Sequence, residues 1–161
     1  MQPLWLIIDG YNLLHQAEEC TGLMDTDLMS ARQRLVRLVE QTAHRMAPQT
    51  TIVFDGCESG TDDALTMKHL EVYFAPSHLS ADSIIERLVT RYTQPERILV
   101  VTSDRAEHDT VSGAGAQVMS AQEFLAQCRQ DARKTRSTSL RPGEKPKLGD
   151  LFPDNLPRPP D

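Results

Sequence analysis

Four aspartates stand where a chain could assemble a site for phosphate chemistry, each placed by an apolar run before it. Asp9 directly follows LWLII, Asp55 follows TIVF, and Asp104 comes just past ILVVTS. Asp82 lies in SADSIIERL, in the first turn of the helix expected after a third apolar run. Carboxylates are hard oxygen ligands, and magnesium-like cations are held by one or two of them together with waters and substrate phosphates. Three or four acids brought to one place could hold one or two such ions, which activate water and stabilise the leaving oxygen of a phosphodiester. Each acid also has an ordinary reading. Glu107 follows Asp104 by three residues and Asp82 sits in a first turn, so either aspartate can cap a helix or complement its dipole. Asp55-Gly56 reads equally well as a turn. Asp9 is harder to explain that way, because a carboxylate directly after a buried strand needs a partner.

The elements that must position these acids alternate in type. Short apolar, β-branched runs at 4–8, 51–54, 70–74, 98–102 and 117–119 read as strands. Between them, Leu28, Ala31, Leu35, Leu38, Val39, Thr42 and Met46 make one stripe on a helical period. Ile84, Ile85, Leu88, Val89 and Tyr92 make a second. A third helix opens at Ser120 with Glu123 three residues on, a capping box. Strands alternating with helices predict a three-layer α/β/α sandwich around a mostly parallel sheet. Ligands of such a sheet bind outside the carboxyl ends of its strands, where all four aspartates would meet.

Composition divides the chain at about residue 131. Residues 1–130 carry 10 Lys and Arg against 18 Asp and Glu, whereas residues 131–161 carry 7 against 5 and hold six of the ten prolines. The first segment is expected to be the folded domain and the second a Pro-rich, mildly basic, disordered tail. An acidic body does not bind nucleic acid by bulk charge, so any such contact must be local or metal-bridged. Cys20, Cys57 and Cys128 are odd in number and lack CxxC spacing, which disfavours a disulfide framework or zinc knuckle. The N-terminal apolar run has no basic flank and ends at Asp9, too short for a signal peptide or a span, and the expected location is cytoplasmic. The histidines lack HxxxH spacing, no GxxxxGK[ST] loop is present, and no Ser-His-Asp or Cys-His set is visible.

IIDGYNLLH at 7–15, VFDG at 53–56, FAPSHLSADSIIERL at 74–88 and VVTSDRAEH at 100–108, followed by GAQVMSAQEFL at 115–125, resemble the YacP-like NYN domains. The likeness spans about residues 4–128. It implies a PIN-like fold and metal-dependent endoribonuclease activity, with Mg2+ or Mn2+ as cofactor and RNA as partner, including messenger RNA on the ribosome. Asp9, Asp82 and Asp104 match that family's metal-binding acids, Asp55 matches a further acidic position, and Asn12 matches the asparagine of the signature. The same likeness suggests Asn12 for orienting a metal-bound water or phosphate, and Ser103, Arg32 and Arg105 for contacts to phosphate. Ser83 departs from the pattern, since many relatives have another acid there, which weakens the case for a second metal. His108 stands where relatives often have Gln. The alternative reading is a non-catalytic RNA- or ribosome-binding module that keeps the fold with a weakened metal site.

Overall fold

The computed structural model describes residues 1–56, 60–61 and 64–138. Cys57 and the segment from 139 onward, which holds most of the expected tail, lie outside the described residues. The five expected strands form, as β1 (Trp5–Asp9), β2 (Gln49–Asp55), β4 (Leu70–Ala75), β5 (Ile98–Val101) and β6 (Gln117–Met119). They pair in parallel, and a two-residue strand β3 (Gly60–Thr61) adds antiparallel to β4, giving the order β3-β4-β2-β1-β5-β6.

Alternation along the strands builds the two cores. Leu6 and Ile8 of β1 join Ile52 and Phe54 of β2 on one face, packed by the helices α1 (Gly10–Gln16), α2 (Glu18–Met24), α3 (Leu28–Met46) and α6 (Ala121–Thr138). Ile7, Val53 and Val100 point to the other face, under α4 (Ala81–Arg91) and α5 (Arg105–Gly113). Both faces of the sheet are covered, so its central strands read as unbroken apolar runs in the sequence.

Helix ends follow their side-chain chemistry. Asp27 caps α3 by accepting from Ser30 N at 3.1 Å, and α3 stops at Met46 ahead of Pro48. Ser120 and Glu123 make the expected reciprocal box at the start of α6, with Ser120 Oγ accepting from Glu123 N and a Glu123 carboxylate oxygen accepting from Ser120 N, both at 3.1 Å. Gly115 turns the chain from α5 into β6 at φ +105, a conformation that glycine adopts without a Cβ penalty.

Helix α6 continues eight residues past the composition boundary at 130. Asp131 is 7% exposed and accepts from Thr42 Oγ1 at 2.8 Å and from Arg45 at 2.6 Å. Thr135 and Gln41 add a further bond between α6 and α3. The arginines of this stretch lie on the solvent side of a docked helix, and composition alone cannot tell such a face from a solvated tail. Among the described residues no helix is long and apolar enough to cross a membrane.

Winding reverses between β1 and β5. From β1 the chain moves outward through β2 to β4, then returns through α4 to β5 on the other side of β1. That reversal opens a crevice at the carboxyl ends of β1 and β5.

Candidate metal centre and active site

Asp9 closes β1 and begins α1, so its backbone belongs to the strand while its side chain caps the helix, accepting from Asn12 N at 3.4 Å. The next residue is Gly10 for a steric reason: a Cβ there would fall 2.4 Å from a ring carbon of Phe54. Tyr11 lies edge-on to that same ring, with centroids 5.0 Å apart. Asn12 turns toward β5, where its Oδ1 accepts from Ser103 N at 2.9 Å. The DGYN tetrad thus caps a helix, admits an aromatic ring, packs on it and ties the start of α1 to the loop after β5.

The loop after β5 is equally committed. Thr102 Oγ1 donates to Glu107 Oε2 at 2.6 Å and accepts from Asp104 N at 3.1 Å. Asp104 caps α5, its carboxylate accepting from Glu107 N at 3.1 Å. Ser103 Oγ accepts from Ala121 N and so helps to start α6. Arg105, at the exposed first position of α5, extends from the same loop.

Carboxylate oxygens of Asp9, Asp82 and Glu107 lie within 4.8 Å of one another. Asp9 is 7% and Glu107 5% exposed, while Asp82 is open to solvent. Glu107 Oε1 is buried and meets no neutral donor, only the neighbouring acids. Burial, and then the neighbouring charge of Asp9, pushes Glu107 up to about 9. Burial also raises Asp9 to about 6, opposed by hydrogen bonds from Glu107 and Asn12 N and reinforced by the charges of Asp82 and Asp55. Asp82 is raised by partial burial and by the charges of Asp104 and Asp55. Grouping three acids around a buried oxygen that meets no neutral donor is costly in the bare protein, and a hard divalent cation is the group whose chemistry offsets it. The donor set therefore fits such an ion.

Of the residues singled out in the sequence, Asp9 and Asp82 come together, and Asp55 and Asp104 flank them closely enough to act through charge. Asp55 Oδ1 also accepts from Ala81 N at 2.5 Å, holding the start of α4 and hence Asp82. Arg32 is not one of the groups beside the clustered acids but lies over the rings of Phe74, Phe54 and Tyr11. The residue that sequence reasoning missed is Glu107. Its spacing from Asp104 marked it only as a capping partner, yet its side chain turns inward and joins Asp9. The one available signal was an acid beside the apolar positions of a short helix.

A parallel sheet covered on both faces, with acids gathered where β1 meets β5, defines a PIN-like α/β domain. The family profile of the YacP-like NYN domain matches residues 6–154, and the chain belongs to that family. PIN-like domains are generally nucleases. The uncharacterized protein YacP of Bacillus subtilis (strain 168) is 28% identical over 147 residues, which span 87% of this chain and 86% of that protein. The crystal structure of Rae1 (YacP) from Bacillus subtilis, in a tryptophan-to-leucine mutant, is similar with a TM-score of 0.67 at 28% identity, covering 84% of this chain and 81% of that one. A second crystal structure of Rae1 (YacP) gives a TM-score of 0.62 at 28% identity, over 83% and 80% of the two chains.

Proposed function

We propose that this protein is a metal-dependent endoribonuclease that hydrolyses RNA phosphodiester bonds. The observation that carries the reading is the convergence of Asp9, Asp82 and Glu107, two of them buried, at the edge where the winding of the sheet reverses. Asp9, Asp82 and Glu107 would hold Mg2+ or Mn2+, whose contribution when bound would be Lewis-acid stabilisation of charge on the scissile phosphate and activation of water. Asp9 and Glu107 are the fixed ligands, held by the N-terminus of α1 and by Thr102. Asp82 is the accessible ligand, placed to accept a hydrogen bond from the attacking water. Asp104 and Asp55 supply further negative charge and hold the helices that carry Glu107 and Asp82. Asn12 keeps α1 and the loop after β5 in register, and Ser103 and Arg105 are the contacts to substrate phosphate. Three ligands and Ser83 on α4 support one metal rather than two.

The substrate is RNA, with messenger RNA on the ribosome the preferred form, in the cytoplasm. The test is cleavage of defined RNAs against a titration of Mg2+ and Mn2+, with the ends of the products mapped and small nucleotide esters run beside them. Metal-dependent internal cleavage lost in Glu107→Gln is the expected result. RNA binding without cleavage at any metal concentration sinks the enzyme reading and leaves a non-catalytic RNA- or ribosome-binding module.

A further inference from the structure

Three of the chain's eight aromatic residues, Tyr11, Phe54 and Phe74, gather at the carboxyl ends of β1, β2 and β4. Phe54 and Phe74 are register partners whose rings stack at 5.6 Å, and Tyr11 meets Phe54 edge-on. The guanidinium of Arg32, reaching from α3, lies 4.7 Å from the Phe74 centroid and donates to the Tyr11 hydroxyl. Phe54 is buried, whereas Tyr11 and Phe74 are only half-buried.

Arg32 meets no counter-ion among the described residues, although the protein carries 23 acids to 17 bases, and its Nε is buried without a partner. A guanidinium cannot shed its charge, so holding one part-buried and unpaired is unfavourable unless an anion completes the site. Its planar fork suits phosphate, and it offers a flat face as well. The position is close to the acids through the backbone. Phe54 directly precedes Asp55, whose carboxylate accepts from Ala81 N, and Ala81 directly precedes Asp82. Tyr11 is two residues from Asp9.

We propose that Arg32, Tyr11 and Phe74 form a subsite for one unpaired nucleotide next to the scissile phosphate. The guanidinium takes the phosphate of that nucleotide and the aromatic edge takes its base, which makes the protein selective for single-stranded over duplex RNA. Splayed bases stack on aromatic rings and guanidinium planes, whereas bases inside a duplex have no free face to offer. The subsite rests on the reading of the protein as acting on RNA, and its test is separate because binding is measured without cleavage.

The experiment uses the full chain with Asp82→Asn in every protein to suppress cleavage, and measures fluorescence anisotropy on a single-stranded RNA and its matched duplex. Arg32→Gln should weaken single-strand binding about tenfold, as expected for losing a charged hydrogen-bonding pair. It should also lower the slope of log affinity against log salt by about 0.7, one phosphate contact on a single strand. Arg32→Lys should keep that slope and still lose several-fold in affinity, since the fork and flat face are gone. Phe74→Leu should reduce the quenching of a 2-aminopurine base placed beside the cleavage position. Arg91→Gln, on the exposed end of α4, is the control and should bind as the parent does. Parental single-strand affinity in Arg32→Gln at an unchanged melting temperature overturns the subsite, as does equal competition by duplex. If Arg32→Gln does not fold, Arg32→Lys decides, and parental affinity there overturns the subsite too. Arg32-dependent binding by a chain that, with Asp82 intact, never cleaves RNA supports the subsite and sinks the nuclease reading. Cleavage that ignores Arg32 does the reverse.

Discussion

Asn12 and Ser103, 91 residues apart, are joined by a 2.9 Å hydrogen bond from the Ser103 backbone amide to the Asn12 side-chain oxygen. That bond fixes the first turn of α1, capped by Asp9, against the loop after β5, which leads into the helix bearing Glu107. Asn12→Ala removes the acceptor and leaves an amide without its partner, at a cost of about 1 kcal/mol. Its larger effect should fall on geometry. Metal-dependent cleavage is expected to drop at least tenfold while RNA affinity by anisotropy stays within about threefold. Unchanged turnover would show that α1 and the loop after β5 hold their positions without the bond.

Burial of the acids in the metal-free cluster, reinforced by their mutual charge, sets a pH dependence. Glu107 and Asp9 are both raised, to about 9 and about 6, from ordinary values of 4.5 and 3.8. The folded protein therefore keeps protons that the unfolded chain has released. The stability they contribute is full below about pH 4 and is lost as pH rises through 6 and then 9. Thermal melts of the metal-free protein should show a melting temperature that declines between about pH 5 and pH 9. Added Mg2+ or Mn2+ should raise it most at the alkaline end, where the carboxylates are free to bind the ion. A flat profile that metal does not alter would mean that the three carboxylates do not form one site.

Neutralising the two acids at the start of α5 should give different signatures. Glu107→Gln removes a buried acid whose ionised form is disfavoured, so it should melt above wild type in metal-free buffer at pH 8 and lose both metal stabilisation and cleavage. Asp104→Asn preserves a good cap for α5 and should melt close to wild type without metal, yet it too should fail to cleave. Asp104→Ala adds the loss of the cap, about 1 kcal/mol. Normal cleavage by Asp104→Asn would reduce Asp104 to a helix cap.

The end of the folded domain can be placed by truncation. Removing everything after residue 138 should leave the melting temperature within a degree or two of the full chain. Removing everything after residue 130 takes away Asp131, which Thr42 and Arg45 hold, and Thr135, which meets Gln41, so melting should fall by several degrees. Although burial pushes Asp131 upward, its hydrogen bonds to Thr42 and Arg45 prevail and hold the carboxyl below its usual range. Its stabilisation is therefore present above about pH 4 and is lost as pH falls further. Equal melting of the two truncations would place the domain end at 130.

Gly10→Ala tests the close approach of α1 to the sheet. The added methyl would meet the Phe54 ring at 2.4 Å, and relieving that overlap shifts either the ring or the cap at Asp9. Denaturant unfolding should show a loss of about 2 kcal/mol, typical of overpacking a core. Because Phe54 underlies both Tyr11 and Phe74, single-strand RNA binding should weaken as well. Wild-type stability in this variant would mean that Phe54 has room to move.

By itself the sequence determined the layered class of the fold, because strands covered on both faces must be continuously apolar and the helices between them must each carry one apolar stripe. It also placed Asp9, Asp55 and Asp104 at strand ends, since the boundary between an apolar run and an acid is local information. The short helices α1 and α2 were not legible, being seven residues each and meeting at Ala17, too little chain for a helical period to show. The last turns of α6 were hidden for the opposite reason: their charged solvent face dominates the composition. Which acids share an ion was decided only by tertiary structure. Nothing local says that β1 lies beside β5, and that adjacency brings Asp9 to α5. Once Asp104 caps that helix, the residue three positions on turns back toward the sheet, and so Glu107, rather than the aspartate that announces it, joins Asp9 and Asp82.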